Sequence, residues 1–280
     1  MLSGSDFMKT LIMISSLKQA NLNVDGVIIG IKDLSVNMPA YFEVEDIKNI
    51  DKEVFVCLNK NMHNDDLKYL EETLIKLNDY NIKGVIYYDL AVLSIYKRLN
   101  LNYDLVWNQE HMTTNYDTIN FYKKEGVEYT LVSNDITLRE CLEIKENTNS
   151  KLMITLFGYL PMFVSKRSLV KNYLKTFNLE DNSNINYIYK EDKKYPITDT
   201  LVTTVYTDFI LNGLKEKLLL DYDYIVLNSF MIDDDKFSKV IDIFNTVDKD
   251  NVEDMESELC NMFDNLGKGF FYKETIYKVK

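Results

Sequence analysis

The chain has 280 residues, of which 46% are hydrophobic, 27% charged and 12% aromatic. That balance excludes a disordered polymer and fits a compact fold. Thirty-two Lys and Arg stand against 44 Asp and Glu, a net charge of −12, which argues against wrapping nucleic acid through the bulk field and against binding anionic membranes.

Cys57, Cys141 and Cys260 are widely spaced, with no C-x-x-C pattern. Neither a disulfide framework nor a zinc knuckle follows, and a reducing cytoplasm is the expected compartment. Residues 1–6 lack the basic start and long apolar run of a signal peptide, and no apolar run approaches the roughly 18 residues of a bilayer span. Three prolines and nine glycines leave no visible flexible linker.

Short apolar, β-branched runs alternate with segments of helical period. Residues 10–14 (TLIMI) read as a strand and 16–22 as a short helix. Residues 26–31 (GVIIGI) are a second strand, followed by a helix-like 44–50; 54–59 (VFVCLN) are a third. Residues 65–80 place Leu67, Leu70, Leu74 and Leu77 on one helical face, with Asn64 as the expected N-cap. The unit then repeats: strand 84–89 with helix 91–99, strand 104–107 with helix 115–124, and strand 128–133 with helix 137–146. Residues 152–157 form a seventh strand, and 224–228 an eighth with helix 234–244 behind it. The chain closes with a helix over 252–266 and a strand-like 270–279.

Eight strands alternating with helices imply parallel pairing through right-handed crossovers. An open doubly wound sheet would carry a Gly-rich phosphate turn after its first strand, and Ile14-Ser15-Ser16-Leu17 is no such turn. The pattern therefore favours an α/β fold of the (β/α)8 TIM-barrel type, with residues 1–280 in a single domain. Residues 158–206 break the rhythm. Within them, 186–190 and 195–205 alternate like strands around a turn at 191–194. They predict an inserted β-hairpin between strands seven and eight, either a flap over the C-terminal face or a decorative insertion that stabilises the rim. Residues 208–220 read as the seventh helix.

In such a barrel, polar residues just past the strand ends share one mouth. The candidates for acid–base chemistry are Asp89, Glu110, Asp135 and Asp199; those for substrate binding are Asn59, Gln109, Asn134, Arg167 and Asn228. The same residues also suit a merely solvated rim. His63 and His111 follow strands but belong to no ligand-spaced cluster, and a lone loop histidine more often faces solvent. Ser165-Lys166-Arg167-Ser168 with Lys171 is a local basic patch after strand seven, suited to an anion or simply to solvent. Cys57 lies inside a strand and reads as a packed thiol. No motif specifies a metal or an activated nucleophile.

Several segments, in order, resemble a known family: VDGVIIG; VFVCLNKNMHNDDLKYLEETLIKLNDYNIKGVIYYDLAVL; WNQEHMTTNYDTINFYKKEGVEYTLVSNDITLREC; FGYLPMFVSKRSLVKNYL; YKEDKKYPITD; and GFFYKETIYKVK. Together they resemble the bacterial collagenase-like peptidase family of unassigned catalytic type (family U-32). The resemblance implies a barrel-type fold and a hydrolase acting on peptides. It also implies kinship with proteins that carry an iron–sulfur cluster on four cysteines and assist hydroxylation of RNA or a quinone. The sequence departs from that pattern. Ser168 stands where the cysteine after Ser-Arg is usual, Asn134-Asp135 replace Arg-Glu, Thr203-Thr204-Val205 lack the flap histidine, and the last strand ends Leu227-Asn228-Ser229. Three dispersed thiols cannot supply four cluster ligands, so no cofactor is expected.

Two functional readings follow. One is a peptidase binding a peptide or other small polar ligand at the mouth, with Arg167 as an anion clamp. The other is a non-catalytic binding or scaffolding subunit paired with a cysteine-bearing paralogue. Nucleic acid and membrane are not expected partners on charge grounds; beyond these two readings, RNA-linked chemistry by family analogy would need the basic patch at Lys166 and Arg167 to do the binding.

Overall fold

The computed structural model describes residues 8–180 and 185–273. The first strand, β1 (Lys9–Met13), is followed by β2 (Gly26–Ile31) and by the two-residue β3 (Tyr41–Phe42), which pairs in parallel with the end of β2. Next come β4 (Glu53–Leu58), α1 (Leu67–Leu77), β5 (Gly84–Tyr87), α2 (Leu90–Leu99), β6 (Asp104–Trp107) and α3 (Tyr116–Lys124). After them lie β7 (Tyr129–Val132), α4 (Leu138–Glu146) and β8 (Lys151–Gly158). The excursion that follows holds β9 (Pro161–Ser165), α5 (Leu169–Thr176), β10 (Asn186–Lys190), β11 (Lys193–Asp199) and β12 (Thr203–Tyr206). The chain re-enters through β13 (Ile210–Asn212) and α6 (Leu214–Lys217), then β14 (Tyr224–Asn228), α7 (Asp234–Thr246), α8 (Val252–Met262) and β15 (Leu266–Gly267).

The strands β14, β1, β2, β4, β5, β6, β7 and β8 pair in that order, all parallel, and β8 pairs back to β14. This is a closed (β/α)8 TIM-type barrel. Alternation along each strand splits the core into two layers. On β4, Phe55 and Cys57 point into the barrel, while Val54, Val56 and Leu58 face the helices. Leu11, Ile28, Phe55, Ile86, Val106, Leu131, Met153 and Val226 give every barrel strand a member of the inner cluster. The interior is therefore packed, not a pore.

The end of the barrel at the strand N-termini is plugged. Phe55 meets Tyr129 and Tyr224 edge-on, with ring centroids 6.0 and 5.6 Å apart. Tyr224 donates to Glu53, which also pairs with Lys9 at 2.6 Å. Space for a ligand inside the barrel is left at the opposite, C-terminal end.

The structure corrects several expectations. The first two crossovers are 3-10 helices, Leu17–Asn21 and Val44–Asn49, rather than α-helices. Asn64 does not cap the third: Asn64–Asp66 is itself a 3-10 turn ahead of α1, and the Asp66 carboxylate accepts the His63 N–H at 2.9 Å. The expected helix over 208–220 is mostly β13, antiparallel to β8, with only four residues of α6. Ile210, Leu211 and Asn212 are all buried there, and the Gly213 N–H donates to Leu156 O at 2.7 Å, which holds the segment extended. The closing helix ends at Met262, not 266. Of the strand-like 270–279, residues 270–273 form a turn and the rest lie outside the described residues.

The predicted hairpin is part of a four-stranded antiparallel sheet, β10-β11-β12-β9. Its β9 follows β8 after two residues, and α5 is tied to it where Asp199 accepts the Lys171 N–H at 2.9 Å. The sheet is anchored over the barrel mouth. The Thr204 hydroxyl donates to Asn37, and Tyr206 stacks on Phe230 with centroids 4.4 Å apart.

Gly158 is the pivot where the chain leaves the barrel. Its φ is +116°, and a Cβ there would lie 2.7 Å from both Asn228 O and Asn228 Cβ. Gly158→Ala thus combines a strained backbone with a clash against β14. We expect it to lower stability by about 2 kcal/mol or more in urea unfolding; a variant as stable as the parent would contradict this packing.

Candidate functional site

The loop after β6 builds the centre of the mouth. Gln109 O accepts from both Met112 N at 2.8 Å and Thr113 N at 3.0 Å, a turn that projects Glu110 and His111. The Thr113 hydroxyl reinforces it with bonds to the backbone of Gln109. From the neighbouring loop after β7, Asp135 reaches across, and its Oδ2 lies 2.6 Å from His111 Nδ1. Glu110, His111 and Asp135 thus form one acid–base cluster.

Below the cluster is a small cavity of about 80 Å3, room for two or three waters. Cys57, Ile86 and Leu131 contribute to its lining with Asn59, Asn108, Asn134, Thr155 and Asn228, while Tyr159, Leu160 and Pro161 enter from the flap connection. Beside it a groove of about 720 Å3 runs between the barrel rim and β9. Asn37, Asn59, Glu110 and His111 belong to both spaces.

Burial is the main influence on Glu110, and the Asp135 charge adds to it; His111 opposes them. Its carboxyl is pushed up to about 7. Such a group is balanced between its two protonation states near neutrality and can give or take a proton. Cys57 is the opposite case. Burial, with the Glu110 charge adding, pushes its thiol far above the ordinary range, so it is a wall of the cavity rather than a nucleophile. In native protein only the exposed Cys260 should react with a thiol reagent, since Cys57 and Cys141 are buried. A count of one thiol folded and three unfolded checks this.

The sequence-predicted residues divide clearly. Glu110, Asp135, Asn59, Asn134 and Asn228 come together around the cavity. Three of these also hold the frame. Asn59 makes two bonds to the Val36 backbone, at 2.8 and 2.9 Å. Asn134 donates to Thr155 O at 2.7 Å. Asn228 accepts from Phe230 N at 2.9 Å and donates to Tyr159 O at 3.3 Å.

Asp89, Asp199, Gln109 and Arg167 line neither space. Asp89 is the N-cap of α2, with one oxygen accepting from Ala91 N and the other from Met62 N, both at 2.9 Å. Asp199 is likewise committed, to Lys171 N and the Thr203 hydroxyl. The Gln109 side chain bonds Tyr88. Arg167 is exposed on the β9–α5 turn.

His111 is the residue that sequence reasoning undervalued. The signal was its adjacency to Glu110 on a strand-end loop, but its partner Asp135 is 24 residues away and meets it only through barrel closure. Cys57 is likewise more than a packed thiol. Alternation with Val56 and Leu58 already aimed it inward, and the structure makes it part of the cavity wall.

The four-cysteine cluster that the family resemblance implies would need one thiolate more than the three this chain has. Cys57 is inside β4, Cys141 on α4 and Cys260 on α8, three separate places. Among the described residues no group of three or more His, Cys, Asp and Glu side chains is set to hold a metal ion, and no helix is long and apolar enough to cross a membrane.

The site is thus a closed barrel with a roofed polar mouth, built around the half-buried carboxyl of Glu110. A profile of peptidase family U32 matches residues 14–213, and the chain belongs to that family. It is 27% identical over 250 residues to tRNA hydroxylation protein P2 of Bacillus subtilis (strain 168), covering 80% of this chain and 81% of that protein. Its match to tRNA hydroxylation protein P1 of the same organism is 24% over 131 residues, 47% of this chain and 31% of that one. An uncharacterized protease, MJ0090 of Methanocaldococcus jannaschii, is 29% identical over 175 residues, 58% of this chain and 42% of the relative. Among solved structures, the U32 peptidase Mk0906 superposes with a TM-score of 0.53 at 15% identity, over 81% of this chain and 94% of that one, a likeness of fold.

Proposed function

We propose that this chain serves tRNA hydroxylation as a cysteine-poor member of the family, working beside a paralogue that carries the cluster cysteines. The observation that carries the reading is the match to protein P2, which spans four-fifths of both chains. The site is compatible with it. The mouth offers proton transfer through Glu110 and the His111–Asp135 pair, but no thiolate ligand set and no activated nucleophile. In this reading the chain binds and orients the nucleoside, and Glu110 holds or moves a proton there. Deleting the chain in its host and measuring hydroxylated nucleosides in total tRNA by mass spectrometry tests it. Hydroxylation should fall and return with the wild-type chain; unchanged levels after deletion would refute the assignment.

One observation favours a second reading, peptide hydrolysis. β9 is an edge strand of the flap sheet, and its Met162, Phe163 and Val164 line the open groove that leads to Glu110. An extended peptide can add to such an edge, with Glu110 as base for an attacking water. Gelatin cleavage by the purified chain, absent in Glu110→Gln, would support it; no cleavage by the wild type removes it.

A further inference from the structure

The flap sheet ends on β10, which pairs with β11 on one side only. The two-residue turn at 191–192 makes Lys190 and Lys193 the closing pair of the hairpin, the kind that exchanges backbone hydrogen bonds. Alternation then commits the N–H and C=O of Ile188 and Asn186 to Tyr195 and Ile197 of β11. It points those of Tyr187 and Tyr189 off the edge, where no strand pairs with them among the described residues. Pro196, which has no N–H to give, stands opposite Tyr187, where the ladder asks for none.

Such an edge is a template for another strand, and β10 does little to prevent it. It holds no proline, and its single charge is at the end, on Lys190. Its side chains are open as well, with Tyr187, Ile188 and Tyr189 at 38%, 43% and 70% exposure. Eleven of the twenty large apolar side chains exposed among the described residues fall between Met162 and Leu201, a concentration that marks the flap as a contact region.

Charge and register select the occupant. Residues 158–206 carry seven Lys and Arg against five Asp and Glu, whereas the rest of the chain carries 25 against 39. Two copies therefore repel through their barrels and can meet without that penalty at the flap. The strand also complements itself. In an antiparallel pair centred on Ile188, Tyr187 lies opposite Tyr189 of the second copy, and the outward N–H and C=O groups of these residues bond reciprocally. Ile188 then meets itself in the closely spaced position, and Asn186 faces Lys190, so no like charges are opposed.

We propose that β10 is a homodimer interface, where two copies of this chain join edge to edge about a two-fold axis at Ile188 and their flaps form one continuous antiparallel sheet. The contact is isologous, so it closes at two copies and leaves no edge on that side from which a fibre could grow. β9, at the opposite edge of the sheet, lines the groove to Glu110 and stays open in each copy. The dimer does not depend on the tRNA reading and gives two mouths per particle whatever enters them.

Sedimentation equilibrium of the full-length chain over about 1–100 µM tests it. The wild type should sediment at twice its chain mass of 32.9 kDa. Ile188→Lys and Ile188→Glu should each weaken self-association at least about tenfold, because each sets like charges face to face at the axis and removes an apolar pair. An equimolar mixture of the two variants should dimerise again, since only a position that meets itself turns them into a matched pair. Tyr189→Pro should also give a monomer, because it removes an outward N–H and leaves the ladder with β11 complete. Far-ultraviolet circular dichroism spectra of the variants should match the wild type, which keeps dissociation apart from unfolding. A wild type that is monomeric at the top of the range overturns the proposal, as does a dimer that persists in Ile188→Lys or a mixture that stays monomeric. So does a wild type that associates only when the cysteine-bearing paralogue is added, which would give the edge to that protein instead.

Discussion

Glu110→Gln should raise the melting temperature at pH 8 by roughly 4–8 °C and abolish tRNA hydroxylation. Folding moves this carboxyl from an ordinary 4.5 to about 7, chiefly by burial. Between those values the folded chain holds a proton that the unfolded chain releases. The stability linked to Glu110 is therefore fully present below pH 4.5, declines as pH rises through 7, and stays low above it. A shift of this size corresponds to at most roughly 3–4 kcal/mol, and the half-buried side chain reduces that to about 2 kcal/mol. Glutamine resembles the protonated acid and does not ionise, so the variant should lose the decline between pH 5 and 7. For a chain of this length each kcal/mol corresponds to about 2–4 °C. Thermal melts at pH 5, 6, 7 and 8 check it; a variant with the wild-type pH slope would show that Glu110 is not the buried acid described. Higher stability with lost activity is the expected signature of a functional group held against its own solvation.

The second large effect lies away from the mouth. Glu216 on α6 has a fully buried side chain, and its charge is met by Lys268 at 3.2 Å and by the Tyr272 hydroxyl at 2.6 Å. Lys268 also pairs with Glu256 on α8 at 3.1 Å, and the other oxygen of Glu256 is buried without a hydrogen-bond partner. One ammonium thus compensates two carboxylates. Lys268→Met should lower unfolding stability by about 3–5 kcal/mol, because the buried carboxylate is left uncompensated. Adding Glu216→Gln should recover at least half of that loss, which separates charge from packing. Urea unfolding measures both. A loss below about 1 kcal/mol in the single variant would mean that this ammonium does not hold the closing segment to the barrel.

The barrel was legible because strands buried on both faces read as continuous apolar runs, such as GVIIGI and LMITLF. Short crossovers were harder. Residues 17–21 carry helical residues, but the span between β1 and β2 holds only a 3-10 turn. β9 escaped notice because it follows β8 after two residues and opens on Pro161. At the rim, sequence identified the residue types but not their employment. An aspartate after a strand is equally suited to capping a helix or to meeting a substrate. Asp89 does the former, while Asp135 is placed beside His111. Only the closure of β8 onto β14 determines which loops share the mouth.

The path of the chain at Gly158 has an evolutionary consequence. Leu211 pairs with Gly158 and Asn212 with Phe157, so the excursion begins and ends at adjacent points on one ladder. The barrel closes through β8 and β14 whatever is spliced between those points. The roof is in effect a removable cassette. Descendants can exchange, enlarge or trim it, and so change what is admitted, without redrawing the vessel beneath.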